Sequence, residues 1–311
     1  MRVIVTGGSG MIGRALAPVL IKAGHELIIL SRNPDKVSDP PAGAQLVRWD
    51  AKTAENWGHL INGDTAIINL AGANLAGDGF LPTRWTEERR RLIRQSRLLS
   101  GQAVMAAIAA APEKPAVLLQ SSAIGYYGTD TGDKALVETD PPGDEFQAQL
   151  CVDWEASTAA AAGLGVRHVD LRTGIVLSTQ EGALPRLLLP FKLFVGGPFG
   201  NGQQWWSWIH LDDEVKAIQF LLETETCHGA FNLTAPNPLR NKAFSRILGK
   251  VMGRPSLIPV PAFAMRAAFG EVAVVVVEGQ KVVPDRLAKA GFEFSYPELE
   301  PALRDLISRG A

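Results

Sequence analysis

Three evenly spaced glycines near the amino terminus could bind a phosphate group. Residues 7–13 read Gly-Gly-Ser-Gly-Met-Ile-Gly and lie between a β-branched run, 2–6, and apolar residues at helical spacing. Such a strand–turn–helix unit offers free N–H groups and the positive end of the helix dipole to a pyrophosphate. We expect Gly7 to allow the tight turn, Gly10 the close approach of backbone to ligand, and Gly13 the packing of helix against strand.

The end of the second predicted strand indicates which dinucleotide the turn would bind. Apolar residues 27–30 predict this strand, and Ser31 and Arg32 follow it. NAD-binding units place an aspartate or glutamate near this point, whereas an arginine can pair with the 2′-phosphate of NADP and stack on its adenine. Arg14 lies in the first helical turn, where the helix dipole disfavours a cation unless an anion is near. The sequence favours NADP over NAD, the alternative being that both arginines are simply solvated.

Small and polar residues follow two further predicted strands. The strand at 65–70 runs into Ala71 and Gly72, which would let the backbone lie against a cofactor, and the strand at 116–120 runs into Ser121 and Ser122. Ligands of open α/β sheets bind at the carboxyl ends of the strands. The residues predicted to contact the cofactor are Gly7, Gly8, Ser9, Gly10, Met11, Ile12, Gly13, Ser31, Arg32, Leu70, Ala71 and Gly72.

The alternation of short apolar runs with helical patterns predicts an α/β fold, a doubly wound parallel sheet of the Rossmann type. Residues 1–172 would form the dinucleotide-binding domain. Residues 173–311 would form a smaller substrate-binding lobe, with some segments returning to the sheet. Besides the elements above, the pattern predicts strands at 44–49 and 166–171 and helices at 83–111 and 145–162.

The composition excludes several classes of protein. The 311 residues are 46% hydrophobic and carry a net charge of −1, so nothing favours a nucleic-acid or anionic-membrane partner. The longest apolar run, 272–277, is far too short to span a membrane, and no secretory signal is expected. Two cysteines are too few for a disulfide framework or a zinc site, and we expect no bound metal. The expected protein is cytoplasmic, acts on a small molecule and is compatible with a homodimer.

Short motifs spread over nearly the whole chain resemble a known group of proteins. One set lies at 6–13, 69–72, 121–128, 171–174 and 207–213, and a second at 84–86, 153–155, 196–208, 232–236, 254–255 and 291–292. The first set is similar to the extended short-chain dehydrogenases/reductases, which include nucleotide-sugar epimerases and dehydratases. The second resembles a branch of predicted sugar-nucleotide epimerases, sometimes labelled cell-division inhibitor homologues. The resemblance implies the fold and a nicotinamide cofactor, and is less specific about the reaction.

The sequence departs from this group at the catalytic residues. The group's pair is a tyrosine followed four residues later by a lysine, which lowers the pKa of the phenol and binds the nicotinamide ribose. The chain has three tyrosines, none followed by a lysine at that spacing. Matching Glu155 to the group's helix glutamate puts Gln147 at the tyrosine position and Cys151 at the lysine position. Ser122 matches the group's substrate-orienting hydroxyl.

The candidate catalytic residues are therefore Ser122 and Tyr127, with a bound water as another way to move the proton. Ser122 could instead be a capping hydroxyl, and Tyr127 a packed aromatic. Cys151 could be a reactive thiol or a small buried hydrophobe. The candidate substrate-binding residues are Arg172, Gln204 and His210, although a structural hydrogen bond is an alternative for His210. Three tryptophans could stack on a base or sugar or pack between lobes, namely Trp205, Trp206 and Trp208.

Two functions remain open. The first is an NADP-dependent oxidoreductase or epimerase acting on a sugar-nucleotide or a related hydroxyl or carbonyl substrate. The second is a non-catalytic NADP(H)-binding sensor or regulatory protein that kept the fold and lost the chemistry. The missing tyrosine–lysine pair motivates the second, and the cofactor turn together with a lobe of substrate-binding size motivates the first.

Overall fold

A seven-stranded parallel sheet forms the centre of the molecule. The computed structural model describes residues 1–37, 40–77 and 79–310. The strands are β1 (Arg2–Thr6), β2 (Glu26–Ser31), β3 (Ala44–Arg48), β4 (Thr65–Asn69), β5 (Val117–Ala123), β6 (Asp130–Leu136), β7 (Arg167–Thr173), β8 (Ile175–Leu177), β9 (Trp205–Trp206), β10 (Trp208–His210), β11 (Gly229–Leu233), β12 (Leu239–Arg240) and β13 (Gly279–Val282). The central sheet has the order β11-β7-β5-β4-β1-β2-β3. The predicted doubly wound α/β fold is confirmed.

Ten α-helices lie in the described part of the chain. They are α1 (Met11–Lys22), α2 (Glu87–Ala110), α3 (Phe146–Ala156), α4 (Leu184–Lys192), α5 (Leu211–Glu223), α6 (Asn241–Met252), α7 (Ala262–Phe269), α8 (Val274–Val277), α9 (Asp285–Lys289) and α10 (Leu299–Arg309). Strands buried on both faces are near-continuously apolar, as in β1 and β4. Helices α1 and α5 pack on one face through residues such as Leu16 and Ile218, and α2 packs on the other through Val104 and Ile108.

One predicted helix is shorter than expected. The pattern at 145–162 predicts a single helix, whereas α3 ends at Ala156 and a 3-10 segment, Ala159–Leu164, follows it. The Ser157 hydroxyl donates to the backbone carbonyl of Trp154 at 2.6 Å. Side-chain bonds of this kind compete with regular helical structure, which explains why the helix ends there.

The chain beyond β7 is shared between the central sheet and a second core. Strand β11 joins the edge of the central sheet beside β7, and α5 packs against α1. The two-stranded sheets β10–β8 and β12–β9 lie around an apolar cluster that includes Trp208 and Phe244, and β13 pairs with β6 beside a smaller cluster that includes Leu136 and Val282. None of the helices in the described part of the chain is long and apolar enough to cross a lipid bilayer.

Candidate active site

The glycine turn is packed so closely that larger side chains cannot be accommodated. Gly7 has φ +66°, and a Cβ atom there would lie 2.8 Å from the backbone of Leu70. A Cβ on Gly13 would lie 2.4 Å from Cα of Gly8, and one on Gly8 would lie 2.7 Å from the Ile29 side chain. The start of α1 is therefore pressed against the turn, and the turn against the end of β4.

The turn also leaves backbone donors for a ligand. The Gly10 N–H donates to the Gly7 carbonyl at 3.0 Å, and the Arg14 N–H closes the first helical bond on the Gly10 carbonyl at 2.9 Å. The first amides of a helix have no intrahelical acceptor, so those of Met11 and Ile12 are available. This cradle of glycine Cα atoms and free N–H groups fits the pyrophosphate of a dinucleotide. Residues 7–13 are the residues that would hold it.

Arginine side chains surround the end of β2. Ser31 is buried and accepts a hydrogen bond from the Asn33 N–H at 3.3 Å, while Arg32 is exposed. The neighbouring acid, Asp35, is bound by Arg48 at the end of β3. Sequence reasoning missed Arg48, whose position opposite Ser31 follows only from the β2–β3 register.

Arg14 has its anion within the protein. Its guanidinium donates to the backbone carbonyl of Ser9 and forms an ion pair with Glu181. The sequence argument that an anion should lie near Arg14 did not identify this carboxylate, because Glu181 lies 167 residues further along the chain.

A polar network fixes the loop after β4. Asn69 donates to the side-chain oxygen of Gln120 at 2.8 Å and accepts from Ser100 at 2.7 Å and from Thr6. The Thr6 hydroxyl in turn accepts from the Ala71 N–H at 3.2 Å. Leu70, Ala71 and Gly72 are thereby held beside the glycine turn.

Ser122 belongs to a buried ion-pair network. Its hydroxyl donates to Glu155 at 2.6 Å, and Arg172 binds the two oxygens of the same carboxylate at 2.8 and 2.9 Å. Burial alone would lower the pKa of Arg172, but the bonds to Glu155 raise it instead. Both predicted site residues are saturated by Glu155, so the Ser122 hydrogen and the Arg172 fork are already used within the protein.

Tyr127 lies on the far side of this network. Its side chain is 3% exposed, its hydroxyl donates to Asn232 at 2.7 Å, and that oxygen accepts from Arg172 at 3.0 Å. Burial raises the pKa of Tyr127 to about 12. A general base needs the opposite shift, so this environment does not favour acid–base chemistry at Tyr127, and its catalytic role stays a prediction.

Two predicted substrate-binding residues make structural bonds. Gln204 donates to the carbonyls of Phe199 and Val276, at 3.1 and 2.8 Å. His210 is fully buried, caps α5 by accepting from the Asp212 N–H at 3.0 Å, and lies 3.2 Å from Asp305. This histidine and its two aspartates are near enough to share an ion. Arg309, however, forms ion pairs with both carboxylates.

A cavity of about 180 Å³ lies at the carboxyl edge of the sheet, between the end of β5, helix α3 and the segment 274–280. Gln147 and Cys151, the residues at the family's tyrosine and lysine positions, both line it. Burial raises the pKa of the Cys151 thiol to about 12, so it is neutral at neutral pH. The polar and aromatic side chains around the cavity are those of Arg97, Thr129, Gln147, Cys151, Trp154, Thr173, Trp205, Trp206, Ser207, Glu278 and Gln280.

Comparisons with known proteins agree with this geometry. Residues 3–234 match the NAD dependent epimerase/dehydratase family, and residues 260–306 match a domain of unknown function, DUF1731. The chain is 39% identical to "Epimerase family protein SDR39U1 homolog, chloroplastic" of Arabidopsis thaliana over 310 residues, which cover 99% of this chain and 87% of that protein. It is 37% identical to "Epimerase family protein YfhF" of Bacillus subtilis, with 99% and 98% covered.

A solved structure gives the same result in three dimensions. The crystal structure of human epimerase family protein SDR39U1 (isoform 2) with NADPH superposes with a TM-score of 0.87 and 35% identity, covering 99% of both chains. The predicted resemblance to extended short-chain dehydrogenases/reductases is thereby confirmed. The chain belongs to the NAD dependent epimerase/dehydratase family, among the SDR39U1-like epimerase family proteins.

Proposed function

We propose that the protein is an NADP(H)-dependent oxidoreductase or epimerase that acts on a hydroxyl or carbonyl group of a sugar-nucleotide or related substrate. The observation that carries this proposal is the glycine cradle, in which a Cβ at Gly7 or Gly13 would meet backbone at 2.8 or 2.4 Å. Backbone packed this closely around free amides fits a dinucleotide phosphate. The similarity to a protein solved with NADPH adds support.

The preference for NADP rests on charge at the end of β2. Arg32 is exposed at the position where NAD-binding units place an acid. Asp35, the nearest acid along the chain, is already paired with Arg48. A guanidinium without competition from this carboxylate can bind the 2′-phosphate through two parallel hydrogen bonds.

The chemistry that a bound nicotinamide dinucleotide supplies is hydride transfer. The chain's own part is to hold the reacting oxygen in the cavity and exclude bulk water. Gln147 is suited to bind this oxygen, since it lines the cavity and its side-chain nitrogen is buried without a partner among the described residues. The Ser122 and Tyr127 hydroxyls are held by Glu155 and Asn232. We therefore assign proton delivery to a bound water rather than to Tyr127.

The experiment is turnover of NADPH. The purified protein is incubated with NADPH and a panel of sugar nucleotides and small carbonyl compounds, and loss of reduced nicotinamide is followed by absorbance. We expect turnover with at least one compound, reduced by Gln147→Leu and kept by Gln149→Leu, a neighbour on the exposed face of α3. Tight NADPH binding without turnover of any compound would contradict the proposal.

A second function, a non-catalytic NADP(H) sensor, is favoured by the saturated Ser122 and Tyr127 hydroxyls. It predicts that Ser122→Ala and Tyr127→Phe leave cellular function intact, whereas Gly10→Asp, which puts a carboxylate in the phosphate cradle, abolishes it. Loss of cellular function in Ser122→Ala and Tyr127→Phe, with function kept in Gly10→Asp, would exclude the sensor.

We also propose that the protein works in the cytoplasm. Both cysteines, Cys151 and Cys227, are buried free thiols, which is typical of reducing compartments. Fractionation of cells expressing the tagged protein tests this location.

A further inference from the structure

The side chains around the cavity at the sheet edge carry several unused N–H donors. Among the residues that the structure describes, four buried nitrogen atoms of cavity-lining side chains have no hydrogen-bond partner. They are Nε of Arg97, Nε2 of Gln147, Nε1 of Trp154 and Nε1 of Trp206. All four are donors. Buried donors without acceptors cost free energy, so their concentration around one cavity points to a ligand rich in acceptor oxygens.

Arg97 is the charged member of this set. It projects from α2, is 7% exposed, and lies with its guanidinium carbon 4.6 Å from the centre of the Trp154 ring. Its Nη1 donates to the backbone carbonyls of Ala73 and Ile93, at 3.1 and 3.0 Å. In the described ranges 1–37, 40–77 and 79–310, no carboxylate lies within ion-pair distance of it. Burial lowers the pKa of Arg97 to about 10, which still leaves it charged at neutral pH.

The other titratable groups lining the cavity leave this charge uncompensated. Glu278 forms an ion pair with Arg266 at 2.7 Å. Cys151 is a neutral thiol, since burial raises its pKa to about 12. Arg266, which lies outside the cavity, pairs with Glu278, so the Arg97 guanidinium has no carboxylate of its own among the described lining residues. An isolated buried charge is unfavourable unless something pairs with it, and one carboxylate supplies the matching charge.

We infer that this cavity recognises the carboxylate group of its substrate, with Arg97 as the residue that binds it. The inference rests on the proposed function, because it names the substrate class of that same site. Arg97 supplies the charge, and the donors of Gln147, Trp154 and Trp206 complete a site suited to acceptor oxygens. Arg97 is a specificity-determining residue in this account, since an uncharged analogue of the same shape leaves the guanidinium unpaired.

The volume of the cavity limits what enters it. About 180 Å³ is available, roughly six times the 30 Å³ that a water molecule occupies in the liquid. A wider groove of about 490 Å³ adjoins the cavity and shares Thr129, Gln147, Val274 and Glu278 with it. The carboxylate end of the substrate therefore lies in the cavity, and any larger remainder lies in the groove.

The test compares pyruvate with pyruvamide, which has a similar shape and no charge. Each is titrated calorimetrically into the protein saturated with NADP⁺, a state that cannot reduce them. We expect pyruvate to bind at least tenfold more tightly than pyruvamide. Equal binding of the two, no pyruvate binding at tens of millimolar, or tighter binding of methylphosphonate than of pyruvate would overturn the carboxylate assignment.

Variants then test the residue. Arg97→Gln should weaken pyruvate binding roughly 10- to 100-fold, the range for a lost charge-assisted hydrogen bond. The control is Arg94→Gln. Arg94 lies on the same face of α2 as Arg97, is half exposed and is bound to Asp153 of α3, so this substitution should leave pyruvate binding unchanged. The affinity for NADP⁺ should stay within twofold in both. Unchanged pyruvate binding in Arg97→Gln overturns the inference, and so does a parallel loss of NADP⁺ affinity, which would assign the guanidinium to the cofactor.

The wild-type pyruvate and pyruvamide comparison stands even if Arg97→Gln does not fold. Pyruvate is also titrated without dinucleotide. Charge-dependent pyruvate binding by a protein that binds no NADP⁺ would contradict the proposed function and support the inference. NADP⁺ binding without any charge-dependent binding of pyruvate would contradict the inference and leave the proposed function supported.

Discussion

The glycine turn and the network around Arg172 lie along the same sheet edge and are built in opposite ways. The turn consists of backbone alone, with glycines at closest approach and free amides at the start of α1. The network consists of side chains from five separate segments of the chain, and nearly every donor in it has an acceptor inside the protein. The free amides of the turn gain hydrogen-bond acceptors only when a ligand binds, whereas the donors of the network have acceptors without one.

This difference separates binding from stability. Unused donors at the turn and around the cavity gain partners only from ligands, so substitutions there should change ligand affinity first. Saturated hydrogen bonds between Ser122, Glu155 and Arg172 gain nothing from a ligand, so substitutions there should change the free energy of unfolding first. The four predictions below test this separation.

The largest effect on stability is expected from Glu155→Gln. The substitution leaves the Arg172 guanidinium, whose side chain is 5% exposed, without its carboxylate. Removing one partner of a buried ion pair costs about 3–5 kcal/mol, which urea unfolding would measure. The control is Asp153→Asn on the same helix, which breaks the more exposed pair with Arg94 and should cost about 1 kcal/mol or less. Equal losses of unfolding free energy in the two variants would show that the buried network contributes no more to stability than the exposed ion pair.

Gly13→Ala should abolish NADPH binding and destabilise the fold by about 1–3 kcal/mol, the cost of overpacking. The added Cβ would lie 2.4 Å from Cα of Gly8, which cannot move without opening the turn. Fluorescence titration with NADPH and thermal unfolding measure the two effects. Gly163→Ala, where a Cβ would meet nothing within 4 Å, is the matched control. Normal NADPH affinity in Gly13→Ala would contradict the claim that the glycine turn binds the dinucleotide.

The network side of the sheet should also respond to pH. Burial raises the pKa of Asp170 on β7 and of Glu214 on α5 to about 8 each. Both carboxyls are then protonated in the folded protein and ionised in the unfolded chain between about pH 4 and 8. Folding takes up protons in this window, so the free energy of unfolding falls as pH rises, by about 1.4 kcal/mol per pH unit for each group, and levels off above pH 8.

Glu214→Gln separates this effect from other titrations. It keeps an acceptor for the Thr173 hydroxyl, which now donates to Glu214 at 2.8 Å. Urea unfolding between pH 5 and 8 should show a pH dependence smaller than that of the wild type by about 1.4 kcal/mol per pH unit, whereas Glu223→Gln, at the exposed end of the same helix, should keep the wild-type dependence. A slope unaffected by Glu214→Gln would mean that this carboxyl does not titrate as described.

Tyr127→Phe should have the smallest effect. It removes the hydrogen bonds to Asn232 and Arg172 and should destabilise the protein by about 1 kcal/mol, while NADPH turnover changes less than twofold. Tyr126→Phe is the control, since its ring packs 3.4 Å from the Arg172 guanidinium carbon through its face rather than through its hydroxyl. A large loss of turnover in Tyr127→Phe would instead show that the Tyr127 hydroxyl takes part in the reaction.

The two regions also differ in how far the sequence predicts them. The glycine turn lies within residues 7–13 and follows directly from glycine spacing and flanking periodicity, as does the doubly wound sheet. The environment of Tyr127 depends on Arg172 and Asn232, which lie 45 and 105 residues away, so no local pattern indicates it. The same holds for Arg97, because its contacts with Ala73 and Trp154 are tertiary contacts that set it apart within an arginine-rich helix.

His210 directly precedes two aspartates at the start of a predicted helix, which is a helix-capping position, and there its ring accepts from the Asp212 N–H. Its local sequence already favoured the structural interpretation over substrate binding. By contrast, the pairing of Ser122 with Glu155 requires α3 to lie against the end of β5, which is a tertiary contact.

Calorimetric titration of NADPH and NADH into the wild-type protein and into Arg32→Ala tests the central claim most directly. The account predicts that the wild type binds NADPH at least tenfold more tightly than NADH, and that Arg32→Ala loses this preference while its NADH affinity stays the same. Lys22→Ala, at the opposite end of α1, should behave as the wild type. Failure of both dinucleotides to bind, or a preference for NADPH that survives in Arg32→Ala, would contradict it.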